Sequence, residues 1–381
     1  MSDDKDHEYF SDGMTEELLN ALAKVTPGGP LEYVVGYDFQ QYSGRDDVLL
    51  IEDQEEDVHA VFAQFRTSDD FIQNGNFAAG VRYNETGGVS QTVWNASGRY
   101  DFTDYIYAQG NIGTSFLLPT AYNLYGIDDC CTLGNPDLEA EEGQSYNFSL
   151  GGQYGSNVVY GWQVTYFNRK IDNFIGSVAT TDAASLQALG IDPSQPFRGR
   201  NVLDFGRIAA NASGEVNVDG FELLGNADFG NGFSADVSYT QSETQQESNG
   251  GPAVDVQRIP SEYAKAGVSY RPGSGRWGAS ANALWTGEQI SSVTGFGDVN
   301  YGDYVVIDLA AHYFLDAEQT HKLTVRLENA LDEDYITRPG SSETDASRLA
   351  RAADPTLAVQ RFYFGNRGVP QTLHLTYSYD F

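Results

Sequence analysis

Cysteine is nearly absent from this 381-residue chain, and the two that occur, Cys130 and Cys131, are neighbours. Two adjacent thiols cannot build the framework of bridges that staples a small secreted fold, and they lack the spacing of a zinc site. They are either bridged through a distorted peptide unit or both free. Histidine is scarce too: His7, His59, His312, His321 and His374 are scattered, none beside a nucleophile in a recognisable motif. The sequence therefore offers no catalytic residue, metal ligand or cofactor site, although a Ser–His or Asp–His pair assembled only by folding stays open. Glycine runs such as GGQYG read as strand and turn glycines, not a phosphate loop. Cations are few, 22 Lys+Arg against 54 Asp+Glu for a net charge of -32, which argues against a nucleic-acid partner. No stretch approaches the roughly 18 to 20 apolar residues of a membrane helix. The opening MSDDKDHEYFSDG has neither the basic region nor the apolar core of a secretion signal.

Aromatic residues are abundant: 24 Tyr and 21 Phe lift the aromatic fraction to 13%, too high for a mostly disordered chain. Low mean hydropathy is compatible with a transmembrane barrel, whose apolar residues occupy alternate positions. Two regimes succeed one another. In EYFSDGMTEELLNALAKV, Met14, Leu18, Leu22 and Val25 recur at helical spacing, with Ser11 or Asp12 to cap and Glu16 and Glu17 in the first turn. The spacing predicts a short amphipathic helix, and TPGGP a linker closing a unit 1–30 foreign to the rest of the chain. From Leu31 to Phe381 the period is two. LEYVVGYDF sets Leu31, Tyr33, Val35, Tyr37 and Phe39 on one face, VVYGWQVTY does so with Tyr160, Trp162, Val164 and Tyr166, and TLHLTYSYDF ends the chain with Leu373, Leu375, Tyr377, Tyr379 and Phe381. About 14 such segments have the length of a tilted membrane strand.

Short turns are expected at Asp101–Asp104, Gly155–Asn157, Gly230–Gly232, Arg271–Arg276 and Asp316–Gln319, alternating with long connections near 43–56, 116–141, 171–208, 243–258, 288–302 and 332–369. Long loops at one end and tight turns at the other suit a membrane barrel. Aromatic residues flank the short turns: Tyr100, Phe102, Tyr105, Phe229, Phe233, Tyr270, Trp277, Tyr313 and Phe314. Recurrence at one level favours an interfacial girdle over chance hairpin pairs. The alternation assigns Asp236, Lys265, Asn282, Asp308, Arg326, Glu328, His374 and Asp380 to the polar, lumen-facing side. The expected fold is all-β: a transmembrane antiparallel up-and-down barrel with a short N-terminal helix.

Three stretches carry a resemblance. SFLLPTAYNLYG followed by GNPDLEAEEGQSYNFSLG, then LTVRLENALDEDYI, then RGVPQTLHLTYSYDF resemble, in that order, the barrel signatures of TonB-dependent outer-membrane receptors. Ala140 stands where that family often has Pro, and Ala330 where it often has Leu. The resemblance implies a barrel of about 22 strands, a globular plug as the gate and an energised inner-membrane partner. Neither a plug nor a TonB box is legible, so the expectation is a barrel portion of a receptor for a bulky nutrient (siderophore, cobalamin-like or oligosaccharide), not transport-competent alone. Outer-membrane lipid surrounds such a wall, and the terminal Phe381 forms part of the signal read by the barrel-insertion machinery. External-loop capture implies ligand contact by Tyr122, Tyr125, Cys130 and Cys131. The acid runs IEDQEED and DEDY read as solvated loop, or as a lure for cations. Residues 1–25 resemble the opening of a TolB-like domain found beside adenylate cyclases. A diffusion porin, an outer-membrane hydrolase and a cytoplasmic regulator remain the alternatives.

Overall fold

The computed structural model describes residues 15–26, 29–46, 48–68, 71–86, 89–128, 131–211, 214–247, 253–354 and 356–380. Residues 1–14, Cys130 and Phe381 lie outside them, and with them the expectations placed on those positions.

Fifteen strands form one continuous antiparallel path. They are β1 (Thr15–Val25), β2 (Leu31–Asp46), β3 (Ile51–Thr67), β4 (Gly75–Thr86) and β5 (Val89–Asp101). Next come β6 (Ile106–Leu117), β7 (Glu141–Tyr154), β8 (Val159–Asp172), β9 (Val216–Asp228) and β10 (Phe233–Gln246). The last five are β11 (Glu262–Tyr270), β12 (Trp277–Thr286), β13 (Tyr304–Phe314), β14 (His321–Glu328) and β15 (Thr372–Tyr379). Every strand pairs with its neighbour in sequence, a meander with no crossover, and a two-residue strand, Val254–Asp255, pairs off the path on β10. The path is open: β1 and β15 are its two ends.

β1 corrects the expected helix. Leu, Ala and Glu favour helix intrinsically, and the spacing of Leu18 and Leu22 fits one. The same residues also alternate: Leu19, Ala21, Ala23 and Val25 lie opposite Phe39, Tyr37, Val35 and Tyr33 of β2. Strand pairing along eleven residues outweighs propensity, and Asn20 bonds Asp38 on the other face. β1 thus stands in the wall as the antiparallel neighbour of β2. The expected long loop near 43–56 is also corrected. IEDQEED extends β3, and its acids accept hydrogen bonds: Glu55 from Gln41 at 2.8 Å, Asp57 from Gln41 at 2.9 Å and Glu56 from Thr86 at 2.6 Å. A hairpin rising into water needs no apolar alternation, so the pattern gave no warning.

The two faces differ as alternation requires. Outward stand Tyr33, Val81, Trp94, Phe148, Leu223, Val268 and Leu309, all exposed. Leu375 is 70% exposed and Tyr377 57%, so the last strand is in no dry interior. The whole chain exposes 23981 Å², where a soluble monomer of 41.7 kDa would show about 15,000 Å². No second layer among the described residues covers this face, which fits a wall meant for hydrocarbon. Rings gather at the short-turn end: Tyr105 stacks on Tyr154 at 5.4 Å, Tyr154 on Tyr160 at 5.6 Å, and Phe233 meets Tyr270 at 4.2 Å. The opposite face is polar and internally paired: Arg66 meets Glu32 at 2.6 Å, Arg82 pairs with Asp38, and Arg99 lies 3.6 Å over Tyr107.

At the β13–β14 turn the Asp316 carboxylate accepts from the Thr320 hydroxyl at 2.7 Å and from the amides of His321 and Thr320 at 2.8 and 3.0 Å. The Thr320 hydroxyl bond, with the two amides, brings its pKa from 3.8 down to about 2. The stabilisation of the turn is therefore complete above the ordinary carboxylate range and lost as pH falls through about 2. Amide exchange at Thr320 should stay slow down to that range and then accelerate, and Asp316→Asn should make it fast at every pH. Placing Arg at Leu223 on the apolar face should cost about 2–4 kcal/mol of stability in vesicles, whereas Thr240→Arg, opposite Glu222 on the polar face, should change little. Urea unfolding of the two variants separates them.

Candidate functional site at the lumenal rim

The signature segments place the external loops. β6 ends at Leu117, Pro119 stops the ladder, and Thr120 caps the short helix α1 (Ala121–Tyr125). The Thr120 hydroxyl accepts from the amide of Asn123 at 3.2 Å, and the Asn123 side chain accepts from the Thr120 amide at 3.1 Å. The GNPDL run packs on this helix: a Cβ on Gly134 would stand 2.9 Å from Leu124 O, so only glycine permits the approach. Asn135 is buried, and its amide donates to Asn123 O at 2.8 Å.

These residues belong to a folded lobe. The connection 173–215 contributes strands Ile175–Ala179 and Arg207–Asn211 and helix α2 (Ala183–Ala188), and Thr132–Leu133 adds a parallel third strand. Leu133, Leu186, Val202 and Ile208 are fully buried, with Ile191 and Phe205 beside them. The dry core of this protein thus sits in its loops. Arg198 ties the two connections together, donating to Gly134 O and Tyr125 O, each at 3.0 Å. Burial pulls its pKa down from the ordinary guanidinium range. Tyr122 and Tyr125 are half-buried in α1, and Cys131, disulfide-bonded, passes its carbonyl to the Arg207 amide at 2.9 Å. Three of the four expected contact residues thus lie in this lobe.

Four of the lumen candidates meet at the long-loop end of β13–β15. Arg326 Nη2 lies 3.0 Å from both Asp308 Oδ2 and Glu328 Oε1, and Glu328 Oε2 lies 3.1 Å from His374 Nε2. Antiparallel register accounts for the meeting, since Ala310, Arg326 and His374 lie in one row. Asp236 and Lys265 share the polar face without joining this group: Asp236 faces the bare backbone of Gly267, and Lys265 Nζ lies 5.3 Å over Tyr263.

Asn329 fastens a second set of loops to this rim. It is 1% exposed, its amide donates to Asp308 Oδ1 at 2.9 Å, and its side chain reaches Glu333 O at 2.8 Å and Val369 O at 3.0 Å. Its φ of +47° is one that asparagine tolerates. The connection 329–371 carries the hairpin Ile336–Glu343/Arg361–Arg367 with helix α3 (Asp345–Ala353), and Phe296 of the neighbouring hairpin touches Tyr363 at 5.8 Å. Arg198 and Asn329 were not among the expected site residues. Asn329 lies inside the LENALDEDY stretch and was legible there, whereas nothing local marks Arg198.

The sequence matches the family of TonB dependent receptor-like β-barrels over residues 3–330. The chain belongs to that family. The match begins at residue 3 and so takes in the segment that resembles a TolB-like domain. The vitamin B12 transporter BtuB of Photobacterium profundum is 28% identical over 302 residues, which are 78% of this chain and 43% of that protein. Solved receptor barrels share the fold at low identity. The FrpB iron transporter of Neisseria meningitidis gives a TM-score of 0.66 at 12% identity, over 96% of this chain and 55% of that one. The ferripyoverdine receptor of the outer membrane of Pseudomonas aeruginosa gives 0.66 at 14%, over 97% and 48%. This receptor barrel therefore spans about half the length of the relatives it matches. Those relatives are transporters and receptors, not enzymes.

Replacing Asn329 by alanine removes several bonds at a buried site and should loosen the 329–371 loops by about 1–3 kcal/mol. Limited proteolysis should then cut within 329–371 while β-sheet circular dichroism is retained.

Proposed function

We propose that the chain forms wall and external loops of an outer-membrane, TonB-dependent receptor that imports a bulky nutrient of the siderophore or cobalamin kind. The observation that carries this reading is the meander's division into an apolar exposed face and a charged, internally paired one, topped by loops with their own dry core. The family membership and the likeness to a vitamin B12 transporter support the cargo class. In this reading the lobe around Tyr122 and Tyr125 and the rim cluster of Asp308, Arg326, Glu328 and His374 form the first surfaces a ligand meets. The last strand, leading to Phe381, is offered to the insertion machinery.

Every element among the described residues is a wall strand or an excursion between two of them. None is a separate body that an energised partner would pull through the lumen. The edges of β1 and β15 carry backbone groups that hydrocarbon cannot satisfy, so in the membrane these edges are paired, with each other, with a second copy or with further strands. The wall alone is therefore a binding sector, and TonB acts on it only together with a plug. The porin alternative is weaker, because a passive pore needs a closed wall.

Expressed alone in a strain deleted for its own cobalamin and siderophore receptors, the chain should bind cargo at the cell surface without TonB-dependent accumulation. Accumulation that disappears on deleting TonB would contradict the sector reading. A stable, uniform conductance in planar bilayers would favour the porin.

A further inference from the structure

On the membrane-wall reading, which this inference rests on, the outward face is not uniform. Across β12 and β13 the large outward residues give way to alanine. Ala279 lies opposite Ala311, and Ala281 opposite Leu309. The small side chains floor a groove of about 480 Å³, with Phe233 and Tyr270 along one wall and Leu309 along the other. The groove is almost wholly apolar, in the size range of small-molecule sites.

Directly below, one step along the same face, Trp277 lies opposite Tyr313. Both rings are exposed and stand at the girdle level, where lipid headgroups begin. Arg276 starts this row: its guanidinium carbon lies 5.7 Å from the Tyr313 ring, and Nη2 donates to Leu315 O at 3.3 Å. That bond uses one of five donors. Arg276 is exposed in the turn at the groove's foot, and its guanidinium leans toward the outward Tyr313 ring, in a chain with only 22 cations against 54 acids. From Arg276 to Ala281 is about 17 Å of strand, close to the ~15 Å depth of one hydrocarbon leaflet.

We infer that this groove holds one phospholipid, an acyl chain lying on the alanine floor and the phosphate on Arg276. Lipid tails gain no hydrophobic free energy by leaving other tails for an apolar wall. Selection must then come from the two features found together here. The first is a shape that one chain fills, and the second is a guanidinium that pairs with phosphate through parallel hydrogen bonds. A diacylglycerol, which has the chains without the phosphate, lacks the second.

The test uses the full chain in phosphatidylethanolamine vesicles with a trace of photoreactive phosphatidylglycerol carrying a diazirine in one acyl chain. Flotation and protease protection first establish insertion, and adducts are then mapped by mass spectrometry. Adducts should concentrate on peptides containing Ala279–Ala281 and Leu309–Ala311. The double substitution Ala279→Phe with Ala311→Phe should lower them several-fold. Arg276→Gln, at an exposed turn, should lower adducts from the phosphatidylglycerol probe but leave those from a diazirine diacylglycerol unchanged. Adducts spread evenly around the wall, adducts indifferent to both changes, or cross-links from this groove to a second copy would each overturn the lipid site while leaving the wall reading intact. Failure of the wild-type chain to float with vesicles would instead bring down the wall reading, and the lipid site with it.

Discussion

The constraint on which the rest depends is the pairing of every wall strand with its neighbour in sequence. A backbone in hydrocarbon must satisfy its own hydrogen bonds, and a meander does so with local connections and tight turns. Once the ladders are in register, alternation separates the faces without further instruction. Tyr239 and Leu223 share a row with Val164, while one residue away Thr240, Glu222 and Thr165 form the next row, on the other face. The charged rim arises in the same way, from rows that bring residues of three strands to one height.

The loops obey different rules. A connection of the length of 173–215 would leave its apolar side chains in contact with water if it merely lay open at the membrane surface. Instead it buries Leu186, Val202 and Ile208 against Leu133 of another connection. The signature runs make this possible through plain local chemistry: a proline to stop β6, a threonine cap, a glycine where backbones touch. These motifs act as fasteners between wall and loop, and Asn329 has the same role at the other set of loops.

Much of this was legible in the sequence. Fourteen of the fifteen wall strands, the five tight turns and the girdle follow from a period of two and from where aromatic residues fall. The fifteenth was hidden because LLNALAK is apolar at both periods, so the choice rests on a partner strand the segment itself does not reveal. Hairpin extension through IEDQEED was hidden for the opposite reason, since a strand above the membrane carries no apolar signal. Of the rim, Asp308, Arg326, Glu328 and His374 were assignable to a face, but their meeting depends on register across β13, β14 and β15. Arg198 was out of reach, because its partners Gly134 and Tyr125 lie some seventy residues away and are backbone carbonyls.

The most direct measurement is a nitroxide scan along β14 in vesicles, from Leu323 through Thr324, Val325 and Arg326 to Leu327, reading accessibility to oxygen and to a water-soluble nickel chelate. The account predicts strict alternation, with oxygen favoured at Leu323, Val325 and Leu327 and the chelate at Thr324 and Arg326. Equal inaccessibility to both reagents at all five positions would mean a closed, dry interior, and would contradict a wall between lipid and lumen.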